Sequence, residues 1–215
     1  MRNVIIGSII LIFFNACDSY NRSRLQKQKE EIQKAIIAEA NSPERIDSIF
    51  LDYSFGMSEK EFYAHTRKLY KQKKLILEDN TYVFNTKIGD AGLSTKVKIR
   101  YSPEFFNDSL VSLTLGIEGD ELHRAHKGLL SVEMAGMLLD AYRSKHKVHL
   151  TYESLQVNEN ETEFYLFKNN LLIEIKHGIM DDVRVFYTDK PNEDRMQMAK
   201  LKKEREVQSK RINDF

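Results

Sequence analysis

Two pairs of histidines are the first residues in this sequence whose spacing could do chemistry. His123 and His126, and again His146 and His149, stand three apart. On a helix that spacing sets two imidazoles on one face, which binds zinc once a carboxylate and a further ligand converge. Neither pair sits in an H-E-x-x-H frame, and two imidazoles are half a site, so solvated or locally hydrogen-bonded histidines are the expectation and no metal is assigned. Asp181 and Asp182 are adjacent carboxylates whose side chains diverge, and a polar hairpin after His177-Gly178 accounts for them. Ser131 and Ser154 lack the G-x-S-x-G frame of an activated serine. Gly116-Ile117-Glu118-Gly119-Asp120 lacks the lysine-bearing continuation of a phosphate loop. No catalytic residue and no cofactor is expected from these motifs. An enzyme stays open only as a site assembled from residues distant in sequence.

Composition narrows the partners. The chain has 215 residues, with 33 basic and 32 acidic side chains, a formal charge of +1. That balance removes the electrostatic case for a nucleic-acid partner. With 41% hydrophobic residues, 3 prolines and 9 glycines, it is apolar enough to fold and too poor in breakers for a linker. The single cysteine excludes an internal disulfide framework and a multi-cysteine metal site.

That cysteine, Cys17, closes a distinctive start: one positive side chain at Arg2, an apolar run from Val4 to Phe14, then Asn15-Ala16-Cys17 and an abrupt polar change at Asp18. The run is eleven residues, about 16 Å as a helix, whereas a bilayer span needs about 20 residues. It has the length of an export signal's apolar core. The segment Phe14-Asn15-Ala16-Cys17 resembles the lipobox of bacterial lipoproteins, with Phe14 and Asn15 where that family usually has leucine and a small residue. The resemblance implies diacylglycerol on the Cys17 sulfur, cleavage between Ala16 and Cys17, and acylation of the new amino terminus. It also implies a location in the bacterial cell envelope, anchored to a membrane through the lipid; the outer membrane is the expected one, with sorting and leaflet left open by Asp18. Removal of residues 1–16 takes away Arg2 and leaves 32 side chains of each sign. The body as a whole then has no electrostatic pull on an anionic membrane, so attachment falls to the acyl chains.

The elements behind this start follow from periodicity. Over residues 21–40, Leu25, Ile32, Ile36 and Ile37 fall on or near one helical face, predicting a stem helix that is either a spacer lifting the body off the membrane or docked onto it, the apolar stripe favouring partial docking. After Pro43, residues 51–55 read as a short strand ending at Gly56. Ser58-Glu59-Lys60-Glu61 is a capping box for a helix running to about Lys73. Its inward face is expected to be Phe62, His65 or Thr66, Leu69 and Tyr70, with Lys60, Lys68, Lys71, Lys73 and Lys74 outside. Positive charge near a helix C-terminus is favourable in itself; contact with lipid headgroups or a partner is the other use for these lysines. Strands are predicted at 81–86, 95–101 and 110–117.

The order then recurs: a helix over 131–145 leads through residues 148–152 to strands at 163–167, 171–176 and 183–188. Alternation with polar residues implies sheets covered on one face and wetter on the other. The expected fold is therefore α+β, helices packed on antiparallel β-sheet, arranged so that two consecutive helix-plus-meander units are allowed. The corresponding division is a signal at 1–16, attachment residue and stem at 17–43, units at 44–119 and 120–188, and a charged helical tail at 189–215. In that tail Asn192 is the expected cap, and Met196, Met198 and Leu201 are the residues able to dock. Among the C-terminal aromatics, most are expected to build the core, while Tyr165 or Tyr187 could contribute to an exposed binding face for an envelope protein or glycan.

Residues Phe55-Gly56-Met57-Ser58-Glu59-Lys60-Glu61-Phe62 also resemble the start of the first helix in small envelope lipoproteins that assist outer-membrane protein assembly, and in related secreted β-lactamase inhibitor modules. The resemblance implies a two-layer helix-and-sheet scaffold and carries no site residue. The functional expectation is a lipid-anchored, noncatalytic envelope protein that binds or scaffolds another envelope component. An envelope hydrolase or metal-dependent enzyme is the alternative.

Overall fold

The computed structural model describes residues 23–79, 81–87, 94–118, 135–136, 138–140, 142, 150–158, 161–177 and 182–213. Its frame is an eight-stranded antiparallel sheet of β1 (Ile76–Glu78), β2 (Thr81–Lys87), β3 (Ser94–Phe106), β4 (Ser109–Glu118), β5 (Thr151–Asn158), β6 (Glu161–Lys168), β7 (Leu171–His177) and β8 (Asp182–Asp189). Helices are α1 (23–40), α2 (Glu59–Lys71), α3, which includes Ala135, Gly136, Leu138, Leu139, Asp140 and Tyr142, and α4 (Lys190–Asn213). The class is α+β, with helices on antiparallel sheet. The strand order β1-β2-β3-β4-β8-β7-β6-β5 makes each half a meander and pairs the last strand of one with the last strand of the other, Leu115 opposite Val185. The two halves therefore share one sheet and one core.

The strand register sorts side chains onto two faces. The first face carries Ile99 of β3, Leu113, Leu115 and Ile117 of β4, Val183, Val185 and Tyr187 of β8, Ile173 and Ile175 of β7, and Leu166 of β6, all in one buried cluster. Covering it are Phe62 and Leu69 of α2, Ala135, Leu139 and Tyr142 of α3, and Ile49, Tyr53 and Phe55 from the segment before α2. Helix α2 begins where the sequence puts it, because the box forms: Ser58 Oγ accepts from the Glu61 amide at 3.3 Å and Glu61 Oε2 accepts from the Ser58 amide at 2.9 Å. The helix closes at Lys71 through a Schellman motif, with the Lys74 amide donating to the Leu69 carbonyl at 3.0 Å and the Lys73 amide to the Tyr70 carbonyl at 2.9 Å. Its buried residues are Phe62, Thr66 and Leu69; Tyr70, expected inside, is 48% exposed.

Two expectations give way on this face. No strand forms over 51–55. Leu51 and Asp52 are both left-handed, at φ 52° and 62°, and turn the chain back so that only an isolated bridge, Ser48 to Ser54, remains. The loop still buries Ile49, Tyr53 and Phe55, which is the alternation that resembles a strand in the sequence. Tyr53 and Thr66 share a hydroxyl hydrogen bond of 2.6 Å, and His65 Nε2 lies 2.8 Å from the Leu51 carbonyl oxygen. The other difference is β1, a strand of three residues too short to show a period.

The second face is the wetter one, as expected, with Arg100, Ser102, Glu104 and Arg184 exposed along it, but one strip of it is covered. Ile32 and Ile36 of α1 pack with Leu155 of β5, Tyr165 and Phe167 of β6 and Leu172 of β7. The stem docks because its apolar stripe meets an apolar strip on those three strands, while Ile37 points out at 51% exposure. Helix α4 begins at Lys190, two residues before the expected cap Asn192. It crosses the same face near β4 and β8 and fixes Lys200 Nζ 2.8 Å from Glu104 Oε1 of β3. Among its described side chains Met196 alone is buried; Met198 and Leu201 are 70% and 49% exposed, because the helix lies across the sheet and contacts it near its start.

Candidate functional site

The turns 107–108 and 169–170 and the end of β8 lie at one end of the sheet, as the pairings Phe106 with Ser109, Lys168 with Leu171, and Leu171 with Asp189 require. This turn end holds a polar node. The Asp189 side chain, fully buried, accepts hydrogen bonds from Arg45 Nη2 at 2.7 Å, Asn192 Nδ2 at 2.6 Å and Asn170 Nδ2 at 3.4 Å. Asn170 also grips the backbone of Ile46 on both sides, its Oδ1 accepting from the amide at 2.6 Å and its Nδ2 donating to the carbonyl at 3.2 Å. Glu39 completes the clasp by accepting from Lys168 Nζ and the Asn169 amide, each at 3.2 Å. The Lys168 hydrogen bond is the main reason the Glu39 carboxyl is held below its ordinary range. The node pins the segment that passes around the sheet from α1 on the second face to the loop on the first.

From that clasp α1 runs back along the strands. Gln28, Glu31, Ile32 and Ala35 lie over Glu153 and Ser154 of β5, enclosing a small polar cleft of about 170 Å³. Leu25 packs on the same apolar strip. Eighteen helical residues rise about 27 Å, so residue 23 sits at the far end of the sheet, where β4 leaves and β8 begins. The chain toward Cys17 departs from there. Residues 1–22, with the apolar run and Cys17, lie outside the described residues, as do both histidine pairs, Ser131 and Asp181.

Between α1 and α4 the second face carries a charged cluster. Tyr165 donates a short hydrogen bond to Glu163, and Lys176 Nζ lies 3.0 Å from Glu174 Oε2 and 3.6 Å from Glu163 Oε1. The ammonium also sits 5.3 Å from the centroid of the Phe186 ring. Burial opposes the charge on Lys176, but the two carboxylates outweigh it and hold its pKa above the usual lysine value. Burial, then the Glu163 carboxylate, pushes the Tyr165 phenol up. These groups satisfy one another, so the cluster fastens strands and offers no poised acid or nucleophile.

Both tyrosines considered for an exposed face are inside. Tyr165 is 6% exposed beneath α1, and Tyr187 is 0% exposed on the first face, 5.7 Å from the Tyr142 ring. The alternation of β8 sends Tyr187 inward with Val183 and Val185; Tyr165 faces the opposite way, onto the surface that α1 covers. The docked stem was the signal that decides Tyr165. The buried Tyr187 and Tyr142 hydroxyls make no hydrogen bond of ordinary geometry among the described residues and act electrostatically on each other.

His177 is the one histidine of the described residues that is buried, at 6% exposure, its ring stacked 6.3 Å from Phe164. Burial lowers its pKa below 6.5, with Glu161 opposing. An unfolded chain therefore takes up this proton first as pH falls, and stability that is complete above about pH 6.5 drops as pH passes down toward the folded-state value. His177→Phe is expected to flatten that slope, measured as urea midpoints between pH 7 and pH 5; an unchanged slope would exclude His177 as its source.

Among the described residues no group of three or more His, Cys, Asp or Glu side chains could hold a metal ion, and no helix is long and apolar enough to cross a membrane. No family model, curated protein or solved structure matches the chain.

Proposed function

We propose that this chain is a lipid-anchored, noncatalytic protein of the bacterial cell envelope, whose α+β body binds or scaffolds another envelope component. The reading rests on one observation, the placement of the only cysteine immediately after a short apolar run and a small residue, at Ala16-Cys17. Anchoring by two or three acyl chains is stable where a single chain is marginal. The docked stem supports the reading by limiting the tether: five residues, 18–22, separate Cys17 from α1, a reach of at most about 22 Å. The body is held against the membrane, not displayed on a stalk. The outer membrane is the proposed location, and the component bound there is an envelope protein or glycan.

The test is expression in a bacterial host supplied with a labelled fatty acid, comparing the wild type with Cys17→Ala. The wild type should incorporate label, shift to the mature size and fractionate with membranes, and Cys17→Ala should lose the label entirely. Equal labelling of the two proteins, or none in either, would end the anchoring proposal.

A further inference from the structure

At the far end of the sheet, the geometry points to a second membrane contact, made by protein side chains: the corner between α2 and β1, formed by Tyr70, Lys71, Lys73, Lys74, Ile76 and Leu77, as a surface for anionic lipid headgroups. Three large apolar side chains are out in solvent here, Tyr70 at 48%, Ile76 at 40% and Leu77 at 49% exposure, with Leu77 on the α2 side of the edge strand and Ile76 on its other side. The lysines between them are exposed as well. From Arg67 to Asp79 the chain carries five positive side chains against Glu78 and Asp79. Lysines beside aromatic and aliphatic side chains are the composition of an interfacial contact, in which cations meet headgroups while apolar groups enter the acyl boundary. The lysines complement helix α2's C-terminus whatever the corner does, but the dipole gives no reason for Ile76 and Leu77 to be outside.

The composition of the corner, with the anchor proposed on the same side of the body, selects a lipid surface over other occupants. Helix α2 starts at the turn end, where the Glu59 amide donates to Asp108 Oδ1 at 3.2 Å, and descends along the sheet. Strand β1 pairs Ile76 with Val83, and β2 in turn pairs Val83 with Lys98, which faces Glu118 at the far end. The start of α1 lies at that same end. The inference rests on the proposed anchoring at Cys17, since the lipid would bring this end to the membrane. Strands β1 and β5 are opposite edges of the sheet, separated by seven strand spacings, about 34 Å. The anchor beside β5 and the corner beside β1 would then be two separated contacts, with β2 and β3 running four residue pairs further past the corner between them.

A chain beginning at Asp18 retains every described contact, because the first described residue is 23; a thermal transition matching that of the full-length protein would confirm its folding. It also lacks cysteine, so Leu77→Cys and Leu201→Cys can each be labelled with an environment-sensitive fluorophore. With vesicles containing phosphatidylglycerol, the probe at 77 should shift to the blue and brighten about twofold or more, with no response on pure phosphatidylcholine and none from position 201. Replacing Lys71, Lys73 and Lys74 together by glutamine should weaken the response to anionic vesicles about tenfold or more. A silent probe at 77, an equal response at 201, or an unaffected glutamine variant would overturn the contact. Silence on both vesicles with dimers in sedimentation would assign the corner to a second copy of the chain and overturn it too. This chain has no Cys17, so such a failure leaves the anchoring proposal standing, whereas loss of Cys17-dependent labelling with a retained response at 77 removes the anchor alone.

Discussion

Replacing Asp189 by alanine should lower the free energy of unfolding by about 2–4 kcal/mol, read from urea titration at neutral pH. The carboxylate is fully buried and accepts from Arg45, Asn170 and Asn192, and hydrogen bonds to a charged group are worth more than neutral ones. Removing it leaves Asn170, itself 2% exposed, with a donor unfilled at the point where it holds Ile46. The partner substitution is not equivalent. Arg45 is 44% exposed and regains water when Asp189 is gone, so the cost stays below that of stranding a wholly buried charge. By the same reasoning Arg45→Ala should cost about as much as Asp189→Ala or more, since it leaves the buried carboxylate short of its cation. A loss under about 1 kcal/mol in Asp189→Ala would show that the clasp at the turn end holds little of the fold.

Ile36→Asp should release α1 from the sheet. Ile36 is 2% exposed among Leu155, Tyr165, Phe167 and Leu172. Losing its burial and placing a carboxylate there costs about 3 kcal/mol or more. The apolar face of α1 is small, and most of the core lies on the other face of the sheet, so the helix should open locally before the body unfolds. Tryptic cleavage at Arg24, Lys27, Lys29 and Lys34 is expected to accelerate about 100-fold when cutting follows the open population, with a much smaller change at sites in the body. Ile37→Asp, at a position 51% exposed, is the matched control and should leave the rate unchanged. Equal rates for the two variants would mean that the stem is not seated on the sheet. Under the proposed anchoring, release of α1 frees the body to stand off from the membrane.

What the sequence made legible was local. Helix α2 is announced by Ser58 and Glu61, whose reciprocal hydrogen bonds form, and six of the eight strands show in alternation because half their side chains face a core, while β1 and β5 do not. The strand β3 runs on to Phe106, past the expected end at Tyr101: Pro103 lies beyond the last pair with β2, where β4 alone flanks the strand and proline's missing amide is tolerated. What stayed hidden depends on residues far apart in the chain. The seating of α1 requires Phe167 and Leu172, and its stripe alone does not say which face of which sheet receives it. Tyr165 could be placed only after that helix was. The clasp at Asp189 brings together residues near 45, 170 and 190, each of them polar and unremarkable in its own segment. At Leu51 and Asp52, a loop buries the same alternating residues that a strand would, and the left-handed pair that distinguishes them has no glycine to betray it.

The seating of α1 also sets an order of events. Glu39 meets Lys168, 129 residues later, and every strand under α1 belongs to the last third of the chain. Hairpins such as β3 with β4 can close as soon as they exist, whereas contacts of long sequence separation must await their partners. A chain made or delivered amino terminus first exposes Ile32 and Ile36 until residues 151–177 have arrived and paired, and for all that time the N-terminal segment is attached to the forming body by a long free leash. A helix made first waits for strands made much later, and its closing is the moment at which residue 23 acquires a fixed place on the body.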